Sequence, residues 1–382
     1  MKKITILMLH LQHGGIEKQT IALANELCNN YDVQIISTYN MLKEPAYKVD
    51  DKIEIKYLIE DKPNREEMKA AIKSKNIVQM IKQAIKAIKI LYLKKHLMIK
   101  EVRNLACDYV LSTRIEFAEM LSNYAPKNVV TLTQEHLHDD SDRYVTRAKK
   151  AFKGLDYLLV LCDGSRENFS RWLEDNKKIK IVQIPNILSD IPKESAPLCG
   201  NRLISVGRLH PVKNFESLIE VFALVQKKLP DAQLTIVGGG DEYEPLCRQV
   251  KALGLENSVN ITGMVSAEEV KTYMLSSDIY VMTSHTECFP MVLLEASSVG
   301  LPLISFDVPV GPRSIINDGE NGHLIHYPDK KQMAEKIIHL LKNREYLEKL
   351  GSNAKKASSM YLAANIMEKW HEIFMIDGEE KC

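Results

Sequence analysis

The chain has 382 residues, more than one hydrophobic core ordinarily organises, so two domains of similar size are expected. Its 51 Lys and Arg against 50 Asp and Glu leave a formal charge of +1, which excludes a global pull towards nucleic acid and makes any basic surface local. Apolar residues at 45% and charged residues at 26% fit a soluble globular protein, and no apolar run approaches the ~18 residues that a transmembrane helix needs.

Short β-rich runs alternate with longer helical patterns, which predicts an α/β fold of parallel βαβ units. The first run, Ile4–Leu9, follows Met-Lys-Lys and imitates a signal peptide. It stops at His10 without a small-residue cleavage site, so it reads as a buried first strand. It leads into His13-Gly14-Gly15-Ile16-Glu17 and a helical pattern with Ile21, Leu23, Ala24 and Leu27 on one side. Paired glycines at such a turn let backbone approach a ligand, and the amides of the helix start favour an anion. A sharp chain reversal alone would also call for them.

Further strands are expected at Val33–Ser37, Ile53–Leu58, Tyr109–Ser112, Val129–Thr133, Leu158–Leu161 and Ile179–Ile184. Between the third and fourth lies Met68–Arg103, where Ile77, Ile81, Ile85, Ile88 and Leu91 keep helical spacing and Lys82, Lys86, Lys89, Lys94 and Lys95 border the stripe. Such a helix either lies at an anionic membrane interface or covers the sheet with its lysines in solvent. After the fifth strand, His136, His138, Asp139, Asp140 and Asp142 cluster, and Asp140-Ser141-Asp142 imitates a metal-holding D-x-D. Capping and the helix dipole account for acids opening a helix, so no metal is expected there.

Pro185-Asn186 and the proline-punctuated stretch 190–197 mark the domain boundary. The expected division is 1–190, 191–360 and a terminal helical segment, 361–382, crossing back to the first domain. Second-half strands are expected at Leu203–Val206, Leu234–Val237, Val259–Thr262, Ile279–Thr283 and Leu303–Phe306. The first ends in Gly207-Arg208-Leu209-His210-Pro211-Val212-Lys213-Asn214, which sets a planar guanidinium and a compact ammonium past a strand's C-terminal end, where open α/β sheets bind ligands. That pair suits a departing diphosphate. The next ends in Gly238-Gly239-Gly240-Asp241; the glycines suit close approach of a nucleotide, and Asp241 a helix cap. Base selectivity is expected from the loop Gly263-Met264-Val265.

The strand Ile279–Thr283 leads into Ser284-His285-Thr286-Glu287-Cys288-Phe289-Pro290-Met291-Val292-Leu293-Leu294-Glu295. Glu287 falls in the loop and Glu295 about two turns along a helix opening near Pro290, which leaves the amides of Met291, Val292 and Leu293 for a phosphate. Carboxylates so placed can grip vicinal hydroxyls of a sugar and a ribose. Helical patterns at Lys331–Leu341, Arg344–Ala357 and Leu362–Phe374 close the chain.

Taken together, G-G-x-E, G-R-L-x-x-x-K, the Gly238–Gly240 turn, E-x7-E enclosing Phe289-Pro290, and Asp318-Gly319-Glu320-Asn321-Gly322-His323-Leu324 resemble the retaining glycosyltransferases of family 4 over nearly the whole chain. The resemblance implies a GT-B fold, two Rossmann-like doubly wound domains facing across a cleft, the first binding acceptor and the second a nucleotide-sugar. It implies that Arg208 and Lys213 bind the donor diphosphate, that Glu287 contacts the transferred sugar and Glu295 the ribose, and that amides near Met291 and Val292 bind a phosphate. Gly15 would approach that phosphate from the first domain and His136 would line the sugar site. Gly207, Gly239, Val265 and Phe289 complete the expected donor-binding set. Cys288 stands where the family usually has glycine, and its side chain is expected to narrow the space beside the sugar.

The expected activity is transfer of a hexose or N-acetylhexosamine from a nucleoside diphosphate sugar, UDP-linked, to a lipid-linked saccharide, without a metal or other cofactor. An epimerase or phosphorylase on the same fold, or a two-lobed binding protein, are the alternatives; E-x7-E with Arg208 and Lys213 weighs against the epimerase and the lack of an export signal against the binding protein. Seven scattered cysteines (28, 107, 162, 199, 247, 288 and 382) give no disulfide or zinc-ribbon spacing and fit a reducing cytosol, with contact at the inner membrane face.

Overall fold

A computed structural model describes residues 1–42, 44–60 and 63–379. Cys382 lies outside the described residues. The chain divides into two compact units. The first takes in residues up to Val160 together with Asn168–Gln183, and the second takes in Leu161–Glu167 and the chain from Ile184 onward.

The first unit holds seven strands: β1 (Lys3–Met8), β2 (Asp32–Tyr39), β3 (Glu54–Ile59), β4 (Tyr109–Ser112), β5 (Val130–Glu135), β6 (Tyr157–Val160) and β7 (Lys180–Gln183). All pair in parallel in the order β3-β2-β1-β4-β5-β6-β7. The central strands are buried on both faces, as their unbroken apolar runs require. Phe117, Phe152, Leu158, Met98 and Val102 fill one layer between sheet and helices.

The second unit holds β8 (Arg202–Val206), β9 (Gln233–Val237), β10 (Val259–Ile261), β11 (Ile279–Met282), β12 (Leu303–Asp307) and β13 (Gly322–His326), again all parallel, in the order β10-β9-β8-β11-β12-β13. Phe222, Tyr280, Phe306, Met333 and Leu347 lie in its core. Both sheets thus reverse strand order beside their first strand, between β1 and β4 and between β8 and β11. Such reversals open a crevice at the carboxyl ends of the strands.

All twelve expected strands are present, within two residues at each end. The thirteenth, β13, was not expected, because His323 and His326 interrupt its apolar pattern and Asp318–Asn321 before it reads as a turn. The division between units falls after Gln183, ahead of the proline-rich stretch. The chain from there on packs on the second unit: Leu188 N–H donates to Tyr361 O at 2.8 Å and, within the stretch, Ala196 N–H donates to Val299 O at 2.8 Å. The last helix, Ala363–Glu379, groups with the second unit and buries Trp370 and Phe374.

The segment 68–103 becomes two helices, Arg65–Lys73 and Ile77–Arg103. Ile90, Met98 and Val102 are buried, while Ile77, Ile81, Ile85, Ile88 and Leu91 expose 56–70% of their surface, joined by Val78 and Tyr92. One end of the long helix therefore covers the sheet and the other presents an apolar stripe to solvent. Lys82, Lys89 and Lys95 are exposed beside it. Lys94 departs from the expected solvated row, because its Nζ donates to Glu116 Oε1 at 2.7 Å in a half-buried pair. No helix among the described residues is long and apolar enough to cross a membrane.

Candidate functional site

The second unit builds its site where β8 and β11 part. Their pairing is limited to Leu203 with Ile279 and Ile204 with Tyr280. Beyond that point each strand runs into a loop, and the two loops are stitched together. Asn214, in the left-handed region at φ 53°, donates from Nδ2 to Thr283 O at 3.1 Å, Thr283 Oγ1 donates to Asn214 O at 2.9 Å, and His285 N–H donates to Val212 O at 2.8 Å. These bonds bring Lys213 and Glu287 together from 74 residues apart: Lys213 Nζ donates to Glu287 Oε1 at 2.5 Å. Ser284 Oγ donates to the same oxygen at 2.7 Å. Both partners keep partial solvent access, Lys213 26% and Glu287 12% of their side chains, so the pair is held yet reachable. The loop after β12 fixes the backbone of Glu287: its N–H donates to Pro309 O, and its carbonyl accepts from Val310 and Gly311 at 2.9 Å each.

Lys213, Ser284, Glu287 and Val292 line a common crevice with Val206 and Thr283. Met291 and Val292 open the helix Met291–Ser298 behind Pro290, which offers no side-chain cap, so the first amides point out of an uncapped N-terminus. The amide of Leu293, expected to be open, instead donates to Pro290 O at 2.9 Å, because the first turn is tight. Phe289 is buried, and Glu295, on the same helix, is half-buried. Cys288 is also buried, with its thiol 3.9 Å from Ser165 Oγ. That places its side chain in the core of the unit, where a weakly polar thiol is at home, and corrects the expectation that it intrudes beside a ligand.

Arg208 is exposed one residue beyond Gly207. Its loop lies directly on the glycine turn after β9: Gly207 N–H donates to Val237 O and Leu209 N–H to Gly239 O, both at 2.9 Å. A Cβ on Gly238 would meet Gly207 O at 1.9 Å, and one on Gly240 would meet Leu209 O at 2.2 Å. Backbone crowding between two loops thus requires these glycines, with φ of 145° and 154°, whatever ligand lies nearby. Gly239 faces the exposed Met264 and Val265 packs partly against the core. Asp241 is not the helix cap; Glu242 takes that position and makes no capping bond with its side chain.

In the first unit, Gly15 opens the helix Gly15–Leu27, and a Cβ there would have nothing within 4 Å. Glu17 in its first turn is buried and accepts from Arg114 Nη2 at 3.0 Å, with His10 Nδ1 at 3.6 Å. His136 follows β5, with its Nε2 buried and unpartnered among the described residues. Burial, with Arg114 adding to it, pushes His136 down to about 4, so the imidazole is neutral at pH 7. Its neighbour Glu135 is pushed up by burial although Tyr144 and the amides of His136 and Leu137 bond it. In the acidic cluster that follows, Asp139 accepts from Ser141 N–H at 3.0 Å and Ser141 Oγ caps the helix Asp142–Ala151 by accepting from Tyr144 N–H.

Reading the sequence missed Ser284, Asn214 and Tyr280. Asn214 before a helical run carried a usable signal, since asparagine tolerates the left-handed region. Tyr280 carried none, because it looks like any aromatic residue of a buried strand. Its hydroxyl donates to Val206 O at 3.1 Å and accepts from Val206 N–H at 3.2 Å.

Residues 188–357 match the family model of glycosyl transferases group 1. The chain is 29% identical to an uncharacterized glycosyltransferase of Haemophilus influenzae over 98% of this chain and 100% of that one. It is 26% identical, over 97% of each chain, to an N-acetyl-D-galactosaminyltransferase of Campylobacter jejuni whose name sets its acceptor saccharide on PP-undecaprenol. An exopolysaccharide phosphotransferase of Streptomyces coelicolor is 26% identical over 94% of this chain, which spans only 39% of that longer relative. Among solved structures, TarM of S. aureus, crystallised with UDP, aligns with a TM-score of 0.77 at 17% identity, covering 98% of this chain and 100% of that one. The likeness shows the GT-B fold.

Proposed function

We propose that the chain, whose residues 188–357 match the model of glycosyl transferases group 1, is a glycosyltransferase that moves a hexose or N-acetylhexosamine from a UDP-sugar to a lipid-linked saccharide, with retention, during assembly of a surface polysaccharide or glycan. The observation that carries this reading is the convergence of Lys213, Glu287 and Val292, in the uncapped first turn of the helix Met291–Ser298, on one crevice at the switch point of the second sheet.

In the proposed mechanism Arg208 and Lys213 meet the donor diphosphate, whose charge grows as the glycosidic bond breaks. The amides of Met291 and Val292 share that charge at the helix N-terminus. Lys213 is held by Glu287 beforehand, so little reorganisation is needed when the donor binds. Glu287 accepts hydrogen bonds from the transferred sugar and Glu295 from the ribose. Gly207, Gly239, Val265 and Phe289 shape the nucleotide side of the second unit; in the first unit the proposed contributors are Gly15 and the neutral His136. The acceptor attacks on the face from which the diphosphate leaves, and the departing phosphate takes its proton. No divalent metal is required, because the cations and the helix start supply the positive field.

An anionic membrane surface is the proposed site of the lipid-linked acceptor, reached through the stripe Ile77, Ile81, Ile85, Ile88 and Leu91 with Lys82, Lys89 and Lys95 beside it. The lipid anchor named in the Campylobacter relative supports the acceptor class. Incubation with labelled UDP-sugars, with and without undecaprenyl-linked saccharides, tests the reading. Label in the lipid fraction with an α-configured new linkage is expected from an α-configured donor. Loss or isomerisation of the donor at equal rates with and without acceptor would overturn it in favour of an epimerase or hydrolase.

A further inference from the structure

The phenol of Tyr280 occupies the point where the second sheet comes apart. In a parallel sheet each residue of a central strand sends its N–H and C=O to one neighbour, and successive residues alternate. Gly207 N–H goes to β9, through Val237 O. Val206 faces the other way, towards β11, but β11 has left the ladder two residues earlier, at the Ile204–Tyr280 pair. Its backbone groups would be orphaned beside a ligand crevice, where an unmade bond costs more than a made one gains. Tyr280 Oη answers both, accepting from Val206 N–H at 3.2 Å and donating to Val206 O at 3.1 Å.

We propose that Tyr280 is a positioning residue for the donor: by holding both backbone groups of Val206, its hydroxyl fixes where β8 ends and so where Gly207 and Arg208 stand. A phenylalanine would fill the same core volume and leave the last residue of β8 without a partner on that side. The role requires a neutral phenol, able to donate and accept at once. Burial and then the Glu287 and Glu295 carboxylates push its ionisation well above the usual tyrosine range. The same strand carries Thr283 and Ser284 into the loop that holds Glu287, so one side chain sets the Arg208 loop from the strand that leads to the glutamate.

The proposal rests on Arg208 being a diphosphate ligand, and the experiment separates the two. Full-length wild type, Tyr280→Phe and Arg208→Ala are compared for binding of UDP and of uridine, and the first two for amide exchange by mass spectrometry. Tyr280→Phe is expected to speed exchange in peptides spanning 203–213 while leaving β9, β12 and β13 as in wild type. It is also expected to cut the preference for UDP over uridine by about tenfold, the scale of one buried bond left unmade. Uridine affinity should hold. Unchanged exchange at 203–213 overturns the proposal, as does faster exchange throughout the second unit, which would make Tyr280 a packing residue only. Equal weakening of UDP and uridine overturns it too. If Arg208→Ala keeps the UDP preference, the diphosphate reading fails, and the exchange pattern alone decides the role of Tyr280.

Discussion

Replacing Ile81, Ile85 and Ile88 with glutamine tests the proposed membrane surface against a stripe that merely happens to be exposed. The three side chains show 56%, 64% and 68% of their surface. Full burial of an isoleucine is worth about 1.5–3 kcal/mol, so transfer of these exposed fractions to a bilayer interface contributes about 1 kcal/mol each at the lower end. Losing all three removes about 3 kcal/mol, about a hundredfold in partitioning. Glutamine is a good helix former, and the replaced residues face solvent, so the thermal midpoint should stay within a degree or two. Co-sedimentation with vesicles containing anionic lipid, measured beside thermal unfolding, reads both quantities. The companion variant Lys82→Gln, Lys89→Gln, Lys95→Gln should lose roughly 1 kcal/mol per lysine at low salt and converge on wild type when salt shortens the Debye length. Lys94 is left in place because it pairs with Glu116. Vesicle binding unchanged by the isoleucine variant would refute the reasoning. A wild-type dimer that dissociates in the variant without any vesicle binding would assign the stripe to a second copy instead.

Two glycine substitutions should separate architecture from binding: Gly238→Ala, driven into Gly207 O, is expected to lower the thermal midpoint sharply, whereas Gly15→Ala, with open space before it, should fold normally and weaken UDP-sugar binding. Normal folding of Gly238→Ala would contradict the loop-packing account. Glu295→Ala should chiefly raise the donor KM and Glu287→Ala chiefly lower kcat; wild-type kinetics in both would remove them from the site. EDTA should leave activity largely intact, and complete loss restored by magnesium or manganese would return attention to Asp140 and Asp142. His136, with a folded value of about 4 against an ordinary 6.5, stays neutral while the unfolded chain takes up a proton, so stability should fall as pH drops from 6.5 towards 4, by up to about 3 kcal/mol. Denaturant titrations at pH 7.5 and 5 should show a smaller acid loss in His136→Gln than in wild type, and equal losses would mean that the histidine is hydrated.

The central strands were legible because a chain segment buried on both faces has to be apolar throughout, a property of consecutive residues. The positions of Arg208, Lys213 and Glu287 were legible for a related reason: each follows a strand's carboxyl end. What escaped depends on partners far along the chain. The need for glycine at 238 and 240 lies in carbonyls of residues 207 and 209, so the sequence suggested a ligand where the backbone itself is the neighbour. Cys288 was read as facing a ligand because its neighbour in the fold, Ser165, lies 123 residues earlier in the chain. The proline-punctuated stretch resembled a linker, yet Ala196 within it and Leu188 just before it donate their amides to Val299 and Tyr361 of the second unit. The 65–103 region needed the sheet itself to show which apolar residues it covers and which it leaves in water.

The interlocked turns at 207–209 and 238–240 divide the nucleotide side of the second unit into a frozen part and a tolerant part. A side chain added at Gly238 or Gly240 collides with backbone, which has no rotamer to offer, whereas Gly239 meets only the flexible and 81% exposed Met264. Sequence drift can therefore rewrite residue 264 at little cost to folding while the turns beside it stay fixed, whereas Val265 is held by its packing against the core. On the proposed reading, a laboratory library confined to position 264 explores base preference without disturbing the diphosphate grip, and the same asymmetry lets descendants of one scaffold change donors in single steps.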